Sequence, residues 1–302
     1  MRTLPVLENL PSSYSIDRVD RGVAAIHESV RDALKQIEWG PLARKALPPS
    51  RLQGRKPLFE LETADEVLLV RRFSHGGLLR WATGERFRDP ERPFREILLS
   101  EHLHAHGIRT ARIVAARAWA ASGATGWFLE VITRRVQGAS DLGVLLAELQ
   151  RASATGSAET PGRSRLLFEL GRLVARLHRC GFLHADLNPN NVLVEQASLS
   201  DEEPRLWILD LDRSQIQESL TEEQRWRNIG RLFRHVDRRE GERGRALWRA
   251  DYRRFFRGYG LEGQEWKRYW RAIEAAQAGN RWHRIGWHLE RCFGGPDPRG
   301  SA

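Results

Sequence analysis

The sequence predicts an α+β chain of two lobes: a small, mostly antiparallel sheet with one inserted helix, then a larger helical half. Three observations carry this. Extended apolar runs cluster between Gly54 and Thr133, with one helical period among them. From Asp141 onward apolar residues recur at helical spacing. A polar loop flanked by two strand-like runs sits inside that second half. The expected division is 1–135 for the N-terminal lobe and 136–302 for the C-terminal lobe, with 1–50 as an extension ahead of a sheet over 54–133.

Residues 1–50 are mixed. Asp20 to Trp39 reads as a short helix, and Pro41, Pro48 and Pro49 then break the chain. Phe59 to Glu62 alternates, Ala64-Asp65 suits a turn, and Val67 to Val70 is a buried-strand candidate. Gly76-Gly77 interrupts the order. Pro93 starts a helix whose period runs through Phe94, Ile97, Leu98 and Leu103 and stops at Gly107. Ile113 to Ala120 and Trp127 to Ile132 read as two further strands. Between Thr133 and Gly138 the chain crosses to its helical half.

There, Asp141 to Gln150 reads as a helix and Arg151 to Gly162 as a loop rich in small residues. Ser164 to His178 is the clearest helix, with Leu166, Leu167, Leu170, Leu173, Val174 and Leu177 on one stripe and Gly181 as terminator. Val192 to Val194 and Leu206 to Leu209 form a hairpin. From Thr221 onward the chain is helical and rich in arginine and tryptophan.

Composition bounds the classes. The 302 residues are 41% hydrophobic and 29% charged, which excludes a disordered chain. No apolar run approaches the roughly 20 residues of a spanning helix, and MRTLPVLENLPSSYS lacks a basic-then-apolar leader pattern, so a cytoplasmic start is expected. Cys180 and Cys292 read as two ordinary thiols rather than a disulfide framework or metal cluster. The net charge of +10 comes almost wholly from arginine, since lysine occurs only at Lys35, Lys45, Lys56 and Lys267. Such a surface favours polyanions; it also fits a plain compositional bias. No nucleic-acid-binding motif accompanies it, so a nucleic-acid partner is not expected.

The chemistry concentrates in His184-Ala185-Asp186-Leu187-Asn188-Pro189-Asn190-Asn191 and in Trp207-Ile208-Leu209-Asp210-Leu211-Asp212. Asp186 precedes Asn191 by five residues, and Asp210 ends an apolar run. That order places a metal-bound triphosphate against an alcohol. Asp186 is the candidate base that orients the acceptor hydroxyl. Asn191 and Asp210 offer hard oxygens to a cation such as Mg2+. His184 reads as a brace for the loop rather than a reactant.

These segments resemble the lipopolysaccharide-core kinases, in particular the 3-deoxy-D-manno-octulosonic acid (Kdo) kinases. That family carries a D-L-N-x-x-N-I-L-I loop and an I-I-D-F-D metal motif. Here they read Asp186-Leu187-Asn188-Pro189-Asn190-Asn191-Val192-Leu193-Val194 and Ile208-Leu209-Asp210-Leu211-Asp212. Val70-Arg71-Arg72-Phe73-Ser74-His75-Gly76-Gly77-Leu78 is similar to the family's L-R-H-Y-x-R-G-G-L. Arg92-Pro93-Phe94-Arg95-Glu96 is similar to its R-x-F/W-x-E helix, and Thr110 to Arg117 to its V-P-x-P-I-A-A phrase. The likeness spans roughly residues 54–260. It implies a two-lobed protein-kinase-like fold, ATP and Mg2+ as cofactors, and transfer to a sugar hydroxyl of Kdo linked to lipid A. It also implies a lipid-linked acceptor met at an anionic membrane surface, with the protein peripheral on the cytoplasmic face of the inner membrane.

One departure from protein kinases can be counted: no lysine lies between Lys56 and Lys267, so the strand lysine that grips nucleotide phosphates is missing. Arg71 is the candidate replacement, paired with Glu96; a surface strand residue and a solvated helix residue are the plainer alternative. Gly54-Arg55-Lys56 is the candidate nucleotide-covering loop, with Lys56 on phosphate or in a simple turn. His75, Arg80 and Arg86 suit an anionic sugar or a solvated basic loop. Trp226, Trp248, Trp266, Trp270, Trp282 and Trp287 either pack the helical lobe or meet a membrane. Two other readings stay open. One is a small-molecule or heptose kinase of the same fold, aminoglycoside- or choline-phosphotransferase-like. The other is a non-catalytic scaffold.

Overall fold

The computed structural model describes residues 4–42, 48–50, 58–63, 66–74, 85–121, 126–154, 162–243 and 247–278. Its first half is one antiparallel sheet of six strands: β1 (Tyr14–Val19), β2 (Gly22–His27), β3 (Leu58–Glu62), β4 (Val67–Arg72), β5 (Ile113–Ala120) and β6 (Trp127–Arg134), in the spatial order β1-β2-β5-β6-β4-β3. A central position for β2 explains its sequence. Gly22-Val23-Ala24-Ala25-Ile26-His27 is buried on both faces, so it reads as an unbroken apolar run with no alternation. The helix expected over Asp20 to Trp39 is therefore corrected. The first part of that segment is strand β2, and after a 3₁₀ turn at Glu28–Val30 only Arg31–Gln36 forms an α-helix, α1.

Each face of the sheet has its own apolar layer. Val23, Ala25, Phe73, Ile113, Ala116 and Val131 meet Phe94 and Ile97 of helix α2 (Arg92–Ala105). On the other face Ala24, Ile26, Val70 and Ile132 pack with Leu34 and Trp39. A buried charge locks the early residues to the sheet. The Glu130 carboxylate accepts from Trp39 Nε1 at 3.0 Å, Arg72 Nε at 3.1 Å and Arg117 at 2.8 Å. Arg117 also lies over the Trp39 and Trp119 rings and donates to the Gly40 carbonyl. Multiple cationic donors offset the desolvation of such a carboxylate.

The chain leaves the sheet after Arg134 and turns at Gly138, whose φ of +62° favours glycine. Helices α3 (Leu142–Ala154), α4 (Arg163–Arg179), α5 (Glu222–Arg243), α6 (Arg249–Tyr259) and α7 (Glu265–Ala278) follow. Just before α3 lies β7 (Ala139–Asp141), which joins a three-stranded sheet with β9 (Val192–Glu195) and β10 (Leu206–Ile208); these two and the short pair β8 (Phe182–Leu183) and β11 (Gln215–Ile216) lie between α4 and α5. Strands β9 and β10 are the antiparallel hairpin, with Ile208 opposite Val192.

Helices α4 and α6 cross at backbone contact. A Cβ at Gly171 would stand 2.0 Å from the Phe255 carbonyl oxygen, and one at Gly258 would stand 2.0 Å from that of Phe168. Gly171→Ala therefore forces the two helices apart. A loss of about 2–3 kcal/mol is expected, as for an overpacked core, and chemical denaturation would measure it. No comparable loss would mean the helices do not cross this closely. The tryptophans divide as follows. Trp266 is buried, Trp270 packs on the helical core, Trp226 meets the Tyr269 ring, and Trp248 is half exposed. Trp282 and Trp287 lie outside the described residues. No helix among the described residues is long and apolar enough to cross a membrane.

Candidate active site

The loop after β8 is held by backbone and amide contacts that leave its acidic side chain at the surface. His184 is fully buried. Its Nδ1 accepts from the Asp186 N–H at 3.1 Å, so its Nε2–H donates to the Leu209 carbonyl at 2.9 Å. The ring is thus one neutral tautomer, and burial keeps its pKa below the ordinary imidazole value. This bond spans from the Asp186 loop to the residue before Asp210. The Leu209 N–H returns a bond to the Asn191 carbonyl at 2.9 Å, which puts Asn191 and Asp210 on adjoining strand ends.

Two amides shape the rest. Asn188 Nδ2 and Asn191 Nδ2 both donate to the Asp186 carbonyl, at 3.0 and 2.8 Å. Asn188 Oδ1 accepts from the Asn190 N–H at 2.9 Å, closing a short 3₁₀ turn begun by Pro189. Because the Asn191 amide nitrogen is spent on a carbonyl, its Oδ1 is the atom left for a cation. Asp210 has φ +54°, an uncommon backbone state for a residue with a side chain. Its carboxylate is 49% exposed. An exposed carboxylate beside an oriented amide oxygen is a hard-donor set that fits Mg2+ and does not fit a soft metal.

Strand β4 brings the cationic side. Arg71 donates to both Glu96 oxygens, at 2.8 and 2.5 Å, and its other amine is 3.9 Å from Asp210 Oδ1. Glu96 comes from α2 and its side chain is 3% exposed. Burial pushes Glu96 up to about 7; Arg71 pulls the other way, and Asp212 and Asp210 add to the rise. One turn earlier on α2, Arg92 makes a two-pronged ion pair with Asp212 and lies over the Phe73 and Phe87 rings. Burial opposes the charge of Asp212, yet the Arg92 fork holds its carboxyl below the usual range. Helix α2 is therefore tied to the Asp210–Asp212 segment through the chain Glu96–Arg71–Asp210 and through Arg92–Asp212.

Residues 71–259 match the lipopolysaccharide kinase (Kdo/WaaP) family. The chain belongs to that family. A 3-deoxy-D-manno-octulosonic acid kinase of Stenotrophomonas maltophilia strain K279a is 28% identical over 81% of this chain and 92% of its own length. The kinase of the same name from Photobacterium damsela subsp. piscicida is 26% identical over 64% of this chain and 73% of its own. A solved structure described as WaaP in complex with acyl carrier protein superposes with a TM-score of 0.56 at 20% identity, covering 83% of this chain and 95% of that one. The fold is therefore the two-lobed protein-kinase-like one, and the chain is a phosphotransferase of the Kdo/WaaP family.

Of the sequence candidates, the structure gathers Asp186, Asn191, Asp210, Arg71 and Glu96 at one place. Lys56, His75, Gly76, Gly77 and Arg80 lie outside the described residues, as do Gly54 and Arg55. Arg86 sits beside the start of β6, its Cβ next to Gly126. Sequence reading of this kinase missed the supports of the loop. Asn228 of α5 is 2% exposed, donates to the His184 carbonyl at 2.6 Å and accepts at 3.1 Å from His178 Nε2. Arg231 donates to the Ala185 carbonyl, and Ser214 Oγ accepts from the Ala185 N–H. A signal for Asn228 existed: it is a polar residue on the apolar stripe of Leu232 and Val236.

His178 completes that support. Its Nδ1 accepts from the Tyr259 hydroxyl at 2.8 Å, and burial pushes it down to about 4. The unfolded chain, with an ordinary imidazole, binds a proton that the folded chain refuses. The stabilisation is fully present above pH about 6.5 and is lost as pH falls towards about 4. The melting temperature should drop across that window, and His178→Gln should flatten the drop. An unchanged slope in the variant would assign the acid sensitivity elsewhere.

Proposed function

We propose that this chain transfers the γ-phosphoryl group of ATP to a sugar hydroxyl of Kdo linked to lipid A. The carrying observation is the convergence of Asp186, Asn191 and Asp210 with the Arg71–Glu96 pair. In this reading Asp186 accepts a hydrogen bond from the acceptor hydroxyl, orients it and takes its proton as the phosphate bond forms. Arg71 forks onto the nucleotide phosphates, and Glu96 holds the guanidinium in place. Asn191 and Asp210 hold Mg2+, which when bound supplies charge neutralisation along the phosphates. Lys56 is assigned a phosphate contact from sequence alone.

Support for the acceptor comes from the relatives, which bear the name 3-deoxy-D-manno-octulosonic acid kinase. A lipid-linked acceptor puts the protein on the cytoplasmic face of the inner membrane, where its net charge of +10 meets anionic headgroups. The lobe boundary at 135/136 belongs to the same reading.

The test is incubation of the purified chain with magnesium-ATP and Kdo-lipid A, followed by mass spectrometry of the lipid. A gain of one phosphate on the Kdo fragment is the expected result. Transfer only to a heptose-bearing core or to an aminoglycoside, or ATP turnover with no lipid product, would overturn the acceptor assignment.

A further inference from the structure

We propose a second, transition-metal site formed by His102, His106 and Cys180, which takes Zn2+ and ties helix α2 to the entrance of the Asp186 loop. His102 and His106 are one helical turn apart at the end of α2, and their ring centroids are 4.3 Å apart. Cys180 is the residue that caps α4. One ligand atom from each of the three lies within 4.8 Å of the other two. Zinc–nitrogen and zinc–sulfur bonds of about 2.0–2.3 Å in a tetrahedron separate ligands by roughly 3.3–3.8 Å. Closing the site thus requires the three side chains to draw together from within 4.8 Å to that spacing.

The hydrogen bonds leave each imidazole one nitrogen with a free lone pair. His106 Nδ1 is 2.8 Å from the His102 carbonyl and His102 Nε2 is 3.0 Å from the Cys180 carbonyl. A ring nitrogen facing a carbonyl carries the proton, so His106 Nε2 and His102 Nδ1 keep the lone pairs. An N–H anchored on a backbone carbonyl is the usual outer support of a metal-bound histidine. The third donor is a thiol, now donating to the Leu177 carbonyl at 3.2 Å. On binding, the S–H bond breaks, its proton leaves to solvent, and the thiolate takes the metal. Burial resists that ionisation, while the Arg176 guanidinium nearby favours it.

Two imidazoles and a thiolate form a borderline-soft set, which selects Zn2+ over Mg2+ and Ca2+. The fourth position is left to water. The site is separate from the Asp210 centre and does not depend on what the chain phosphorylates. Its placement gives it a consequence. His102 is six residues after Glu96 on α2, and Cys180 is four residues before His184. A metal here clamps the helix that carries Glu96 to the turn that feeds the loop.

The experiment uses full-length protein with Cys292→Ser, titrated with Co2+ as the spectroscopic stand-in for Zn2+. One equivalent of Co2+ should produce a sulfur-to-cobalt charge-transfer band that Zn2+ abolishes, and Zn2+ should raise the melting temperature. Cys180→Ser should remove the band. His106→Ala, at an exposed position, should weaken Co2+ binding at least tenfold while leaving the metal-free melting temperature unchanged. No band in the parent, a band that survives Cys180→Ser, or unchanged affinity in His106→Ala would each overturn the proposal.

Discussion

Asp186→Asn is expected to lower turnover about 10³-fold, within the range a positioned acid or base contributes, while binding of magnesium-ATP and the melting temperature stay near those of the parent. The reason is where Asp186 sits. Its backbone is held by His184, Asn188 and Asn191 through main-chain atoms, which the substitution keeps. Its side chain is at the surface, so its replacement should move stability by no more than about 0.5 kcal/mol. Asp210→Asn should behave differently. It removes the charged oxygen proposed for the metal, so the apparent affinity for magnesium-ATP should fall together with turnover. Single-turnover kinetics with calorimetric ATP binding separates the two. Equal losses of nucleotide affinity in both variants would refute the division of roles, and full activity in Asp186→Asn would refute the proposed base.

The difference in legibility between parts of this chain has a physical origin. The Asp186 loop and Asp210 were readable because their chemistry is local: an oxygen donor every few residues, just before and just after a hairpin of two strands that pair directly. Strand β4 and helices α2 and α4 were readable because each has one dominant buried face and hence a period, while β5 and β6, buried on both faces for much of their length, were readable as apolar runs bounded by turn residues. Strand β2 was misread because both its faces are covered, and a run buried all round carries no period that distinguishes strand from helix. Arg92 and Asp212 stand 120 residues apart, and Asn228 reaches His184 across 44. No spacing rule connects such partners; only the packing of α2 and α5 brings them together. Asp212 stood out in the sequence as a mark of resemblance, and its ion pair with α2 gives that position a structural task.

The pair Arg71–Glu96 should set stability and activity against each other. Arg71→Met is expected to cost about 10²–10³-fold in kcat/KM, the size of effect seen when one preorganised donor to a developing charge is removed. Arg71→Lys should recover part of this, since a lysine supplies the charge without the fork that sets one amine on Glu96 and the other toward Asp210. Glu96→Gln should give the opposite signs for the two readouts. With Glu96 pushed up to about 7 in the folded chain against about 4.5 unfolded, the folded state holds a proton in that window which the unfolded state has released. Stability of the parent therefore declines as pH rises from about 4.5 to about 7, and the glutamine variant should lack that decline. Near pH 8 the variant should be at least as stable as the parent, yet slower, because a neutral amide holds the guanidinium less firmly. Denaturation at pH 5 and pH 8, paired with turnover at pH 8, measures both. A glutamine variant that is less stable than the parent at pH 8 would mean that Arg71 makes the ionised pair a net support of the fold. A buried carboxylate kept in the chain at a cost in stability is what positioning a phosphate-binding arginine would require.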